Sequence, residues 1–192
     1  MLDKFSVRQH AHMKPVLLNP EAPAPENFYY MLRGGKDVGN ITILESAMAG
    51  EEYVKTLGHY HAYDFIETYR VLDGEALMLL QKRKVDTEGN AIVNEIEEFK
   101  IVRLKSGDEI ALPLGYGHSL VNIGSTFLIT RDDSPSDPEA TAKRPHADYK
   151  PISQMHGMAF YVVNRGGEMQ LVKNPNYISI DATDFAGLPV TE

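Results

Sequence analysis

The chain has 192 residues, 43% hydrophobic and 24% charged, a composition that suits one well-buried domain and excludes disordered and collagen-like classes. Its 27 acidic against 19 basic residues leave a formal net charge of -8, which opposes general attraction to nucleic acid or anionic lipid and leaves only a local basic pocket open. Cysteine is absent, so disulfides, thiolate metal sites and a cysteine nucleophile are excluded, and a bound metal must be held by nitrogen and oxygen. No apolar run approaches membrane-spanning length and the start, MLDKFSVRQHAHMKP, lacks the apolar stretch of a signal peptide, so a cytoplasmic location is expected.

Residues 1–26 read as an irregular arm, because Pro20, Pro23 and Pro25 favour an extended path over a helix. From Asn27 onward short β-type runs follow one another: NFYYMLR, ITILESA, EEYVKTLG, IETYRVL, EALMLLQKR, EEFKIVRL, DEIALP, HSLVNI and TFLITR. The breaks RGGKDVG, LDG, DTEGN, KSGD, LGYG and IGS carry turn residues. This spacing predicts an all-β sandwich or barrel, since crossover helices need longer inserts. Alternation in Glu98, Lys100 and Arg103 against Phe99, Ile101, Val102 and Leu104 slips once, as a bulge or misplaced boundary would cause. The polar stretch after Arg131 reads as a long surface excursion that keeps His146 and Tyr149 in view. MAFYVVNR and EMQLVKN, flanking Gly166 and Gly167, predict a closing hairpin, and residues 178–192 read as a tail.

His59 and His61 are separated by one residue in GHYHAYDFIETY, and strand geometry turns residues two apart to one face. Glu67 opens the next β-type run, and His118 follows the turn LPLGYG, where a barrel would bring it beside the first pair. Three imidazoles and one carboxylate would hold a divalent ion and leave positions open. A lone histidine in a strand is more often a satisfied core or surface group than a ligand; the set of four is far more specific than any one of them. His10 and His12 form a second H-x-H, in a polar arm without a following carboxylate, and are expected at the surface.

These residues resemble the cupin superfamily, whose motifs G…H-x-H…E…G and G-D…P…G…H…N stand here as Gly58, His59, His61, Glu67 and Gly74, then Gly107, Asp108, Pro113, Gly117, His118 and Asn122. Within it, residues 27–177 are similar to the cupin-type glucose-6-phosphate isomerases known mainly from archaea. TLGHYHAYDFIETYRVLDGEALMLLQ, LPLGYGHSLVNIGS and LVKNPNY carry the likeness. The gap from His61 to Glu67 is one residue short of the family pattern, the tyrosine before His118 is shifted by one, and the segment from His146 to Tyr149 fits loosely.

The resemblance implies a double-stranded β-helix, or jelly-roll, barrel with few short helices, one divalent ion of iron, manganese, nickel or zinc, and a homodimer. It also implies glycolytic and gluconeogenic interconversion of glucose 6-phosphate and fructose 6-phosphate. The residue chemistry fits: a metal with open positions stabilises a cis-enediolate, and Glu67 is the candidate base, ligand or both. Direct hydride transfer is a rival that sequence leaves open. Thr42, Thr56 and Gly58 are candidate phosphate donors by resemblance, against a plain reading as strand threonines and a turn glycine. Tyr69, on the face of Glu67, ranks first among tyrosines for substrate contact, then Tyr116, then Tyr149 with His146. Other expectations compatible with the same ligands are a different sugar isomerase, a dioxygenase or a non-catalytic sugar-binding cupin.

Overall fold

The runs of β-branched and aromatic residues between glycine-rich turns do form strands, and the all-β expectation holds. The computed structural model describes residues 5–34, 39–134 and 145–191, so residues 35–38 of the RGGKDVG break and residues 135–144 of the polar excursion lie outside the described residues. In chain order come β1 (Phe5–Gln9), the one-turn helix α1 (His10–Met13), a 3-10 turn (Lys14–Val16), β2 (Asn27–Arg33), β3 (Asn40–Leu44), β4 (Met48–Ala49), β5 (Glu52–Tyr53) and β6 (Tyr60–His61). Then follow β7 (Thr68–Asp73), β8 (Glu75–Val85), β9 (Ala91–Lys105), β10 (Glu109–Ala111), β11 (Tyr116–Asn122), β12 (Leu128–Asp132) and β13 (Ala147–Asp148). The helix α2 (Lys150–Gln154) precedes β14 (Phe160–Arg165), β15 (Glu168–Lys173), β16 (Ser179–Asp184) and β17 (Val190–Thr191).

A six-stranded sheet runs β1-β2-β3-β12-β7-β10, and a four-stranded sheet runs β11-β8-β9-β16. A third sheet, β17-β15-β14-β5-β4, closes one side, and β13 pairs with β6. Their inner side chains share one core, with Phe28, Leu44, Val71, Leu77, Phe99 and Leu128 each at most 1% exposed. Adjacent sheets are joined by single bridges, Lys55 to Val121 and His59 to His118. The second of these fixes the centre described below.

Pairing of β8 with β9 is continuous from Glu75↔Lys105 to Lys82↔Glu98, and its irregularities lie at Lys82–Val85. The slip around Val102 is therefore no bulge. Leu77, Leu79 and Met78, Leu80 are all buried, so β8 is covered on both faces, and beside it β9 half-buries Val102 next to buried Ile101, so strict alternation is not required there. Phe160 and Phe185 pack with Phe99 on this sheet. The closing hairpin forms as the sequence predicts: Arg165 pairs with Glu168 across Gly166 (φ 65°) and Gly167 (φ 87°), the doubly left-handed turn that two glycines accept without strain.

Both ends of the chain differ from their sequence reading. Phe5–Gln9, read as part of an irregular arm, adds an edge strand to β2, and Met13 and Val16 are fully buried in the core. Prolines at 20–25 masked this, because they describe only the segment after it. Ser179–Asp184, read as tail, runs parallel to β9; its polar sequence SIDATD carries no burial signal. His12 is exposed as expected, whereas His10 is half-buried against Phe28, ring centroids 5.9 Å apart.

An internal ion pair ties the first residues down. Lys55 Nζ lies 2.5 Å from Glu52 Oε1, donates to the Val16 carbonyl at 2.7 Å, and sits 4.9 Å from the Tyr161 ring centroid. Leu18 N–H donates to the other Glu52 oxygen. Burial raises the Glu52 pKa, and Lys55 opposes that rise.

Candidate metal centre

Gly58 adopts φ +80° and lies so close to β11 that a Cβ there would stand 3.2 Å from the His118 carbonyl oxygen and Ser119 Cβ. That approach lets His59 and His118 exchange two backbone hydrogen bonds, of 3.1 and 3.0 Å. Their rings consequently meet at a centroid distance of 4.4 Å, and the ring of His61 stands 5.3 Å from that of His118. Tyr60, between the two histidines, is held by Gln81, which also holds Tyr177 of the NPNY segment. The H-x-H spacing is thus anchored from behind by residues far along the chain.

One ligand atom from each of His59, His61, Glu67 and His118 lies within 4.8 Å of all the others. His61 Nε2 is 2.9 Å from Glu67 Oε2, and His118 Nε2 is 3.5 Å from the same oxygen. His59 Nε2 is buried without a hydrogen-bond partner, which would be costly in a merely structural cluster and suits a nitrogen that donates its lone pair to a cation. Three imidazoles, one carboxylate and an orphaned nitrogen fit a divalent ion. Burial, then the neighbouring imidazoles His61 and His146, lowers His118 to about 3. Burial likewise holds His59 well below the usual histidine range, so both are neutral and available as ligands. Burial raises Glu67, which the hydrogen bond from His61 partly reverses.

Next to this cluster is a small, partly open cavity of about 40 Å³. Of the residues singled out from sequence, it brings together Thr42, Thr56, Gly58, His59, Glu67, Tyr69, His118, His146 and Tyr149. Tyr116 is not brought in: its hydroxyl donates to Glu98 and Lys100 covers its ring at 5.0 Å. His146 and Tyr149, ranked last, do arrive, because β13 pairs with β6 and sets Ala147 opposite His61. His146 Nδ1 is buried and unpartnered, and the Tyr149 ring lies 5.3 Å from that of His59. Thr56 Oγ1 accepts from Leu120 N–H at 3.0 Å, so part of its hydrogen-bonding capacity is already spent.

Sequence reasoning missed Tyr29, Met31, Arg33, Asp132 and Ser134 in the lining, and Phe65, which stacks on His61 at 4.0 Å. A signal for the first three existed in the period of two along NFYYMLR, but nothing in the sequence said which face of that strand meets the cavity.

The family model described as Glucose-6-phosphate isomerase (GPI) matches residues 26–179. Among proteins named glucose-6-phosphate isomerase, that of Thermococcus onnurineus is 32% identical over 137 residues, covering 71% of this chain and 62% of its own length. That of Pyrococcus furiosus is 31% identical with the same coverage, so the chain spans less than two thirds of these relatives. The Thermococcus litoralis protein is 27% identical over 91% of this chain and 88% of its own length. Among solved structures, the capsular polysaccharide assembling protein CapF of Staphylococcus aureus aligns with TM-score 0.40 and 15% identity over 62% of this chain and 30% of that one. The Drosophila melanogaster CENP-C cupin domain aligns with TM-score 0.36 and 14% identity over 59% and 74%. The span matched by the family model contains every residue that lines the cavity, and on that match the chain belongs to the glucose-6-phosphate isomerase family.

Proposed function

We propose that this protein interconverts glucose 6-phosphate and fructose 6-phosphate, with one divalent ion held by His59, His61, Glu67 and His118. The observation that carries the reading is the convergence of four ligand atoms within 4.8 Å beside a cavity lined by Thr42, Thr56 and Gly58. Such donors suit iron, manganese, nickel and zinc alike. When bound, the ion supplies Lewis-acid stabilisation to the adjacent sugar oxygens on which negative charge develops.

The chain's own groups divide the remaining work. Aldose–ketose conversion moves a proton between neighbouring carbons beside a carbonyl, and Glu67, its proton affinity raised by burial, is the group assigned to take and return it. His61 Nε2 lies 2.9 Å from that carboxylate, close enough for one ion to be held by both groups. Tyr69 is kept a neutral phenol, because burial lifts its pKa well above the ordinary value, and so it serves as a donor to a substrate oxygen. Thr42, Thr56 and the Gly58 backbone are assigned to the phosphate, and His146 with Tyr149 to the sugar hydroxyls. The same reading carries a glycolytic and gluconeogenic role, a cytoplasmic location and a homodimer. Among the described residues no helix is long and apolar enough to cross a membrane.

The test is metal analysis of the purified protein together with a coupled assay for fructose 6-phosphate conversion without oxygen. The expected result is one divalent ion per chain and turnover that chelation removes and added metal restores. His59→Ala and His118→Ala should lose the ion, while changing His10 and His12 should not. Oxygen uptake with an unphosphorylated substrate would replace the reading with a dioxygenase. A fully metallated protein without turnover would replace it with a sugar-binding cupin.

A further inference from the structure

We propose that Arg33 supplies the positive charge by which this cavity selects a phosphorylated over an unphosphorylated substrate. The proposal rests on reading the cavity as a sugar-phosphate site. Tyr29, Met31 and Arg33 alternate along β2 and all three line the cavity, which puts the guanidinium on the same wall as Thr42. The register confirms the neighbourhood: Met31 pairs with Thr42 and Arg33 with Asn40, so Arg33 and Thr42 are diagonal neighbours, about 7–8 Å apart along the backbone and within reach of a long side chain.

Arg33 is the sole Lys or Arg among the described residues that line the cavity, and among those described its charge is unspent. Among the described residues no carboxylate lies within ion-pair distance of it, and its one hydrogen bond runs from Nη2 to Met31 Sδ at 3.5 Å. The carboxylate in its own cross-strand row, Asp132, is separated from it by Asn40, which pairs with both. Asp132 Oδ1 instead accepts from Asn40 Nδ2 at 2.7 Å, Ser134 N at 3.1 Å and Ser134 Oγ at 2.6 Å, all neutral donors. A half-buried guanidinium without a counter-ion among the described residues, in a chain of net charge -8, is matched by an incoming anion, and its planar fork fits two phosphate oxygens at once. Together with burial, Arg33 also opposes protonation of His59 and His146, which places its field across the cavity.

The experiment compares the metallated wild type with Arg33→Met and Arg33→Lys by steady-state kinetics on fructose 6-phosphate, and by calorimetric titration with inorganic phosphate. Loss of a hydrogen bond to a charged group predicts that Arg33→Met raises KM by about tenfold or more, with a smaller fall in kcat. Its metal content should stay at the wild-type level, its affinity for inorganic phosphate should fall by a similar factor, and lysine should restore part of both. A folded, metallated Arg33→Met that keeps wild-type KM and phosphate affinity overturns the proposal. If the wild type turns over no fructose 6-phosphate, the isomerase reading fails while the titration still decides. Phosphate binding that disappears with Arg33→Met then supports the proposal, and absent or unchanged binding overturns it.

Discussion

Nε2 of His61 lies 2.9 Å from Oε2 of Glu67, a carboxylate whose side chain is only 1% exposed. His61 ends β6 and Glu67 immediately precedes β7, so this contact converts a spacing in sequence into a ligand set. It also gives Glu67 two prospective duties, as a ligand and as the base, which substitution can separate.

Glu67→Gln keeps the size of the side chain and one weak oxygen ligand but removes its ability to take a proton at neutral pH. Turnover should fall by about 10²–10⁴-fold while most of the metal remains. Loss of the metal along with activity would assign Glu67 to the ion instead. Isotope exchange in deuterated water is the companion measurement: enediolate transfer lets solvent deuterium enter the product. Full retention of the migrating hydrogen in an active Glu67→Gln protein would refute the assignment.

Thr42→Val should raise KM for fructose 6-phosphate by about tenfold or more, because it deletes a donor at nearly constant shape. Thr56→Val carries a second consequence. It strands the Leu120 N–H that now donates to Thr56 Oγ1 at 3.0 Å, so it should also lower stability by about 1–3 kcal/mol. Kinetics and urea unfolding on both variants check this; an unchanged KM in both would move the phosphate elsewhere.

Lys55→Met leaves Glu52 charged or protonated in a site where both partners are at most 4% exposed, and should cost about 3–5 kcal/mol. Replacing both residues, with Glu52→Gln alongside, should recover a substantial part, since the neutral pair no longer has a charge to desolvate. Urea unfolding of the two proteins measures the difference. A single variant within about 1 kcal/mol of wild type would show that the ion pair does not fasten residues 16–18 to the sheet.

The metal-free protein should lose stability as pH falls below about 6.5, the ordinary histidine value. Burial depresses His59, His118 and His146 in the folded state, so the unfolded chain binds more protons and acid favours it. Glu67 acts in the opposite sense, because its raised pKa makes the folded state the better proton acceptor above the ordinary carboxylate range. Glu52, raised by burial as well, acts with it, and two carboxyls only partly offset three imidazoles. The urea midpoint should therefore drop between about pH 7.5 and about pH 5.5, and His118→Gln should shrink the drop. A flat midpoint in wild type would count against buried neutral imidazoles.

The sequence by itself determined the strand composition of the domain and the four residues whose ligand atoms converge. Turn residues at roughly ten-residue intervals declare the breaks, and His59 with His61 share a face through a period of two that is local to the chain. NFYYMLR coincides with β2, and the two glycines of the closing hairpin impose their own turn. Only the tertiary structure decided the rest of the cavity. Tyr116 and His118 share the spacing of His59 and His61, yet Tyr116 is captured by Glu98 and Lys100 of a strand distant in sequence. Arg33 and Asp132 line the cavity because β2, β3 and β12 lie side by side, a register set by long-range hydrogen bonds that no short segment encodes. The first residues look like an arm because a prolyl stretch follows them, while Glu52 and Lys55, which bind Leu18 and Val16, meet that segment only in the folded chain.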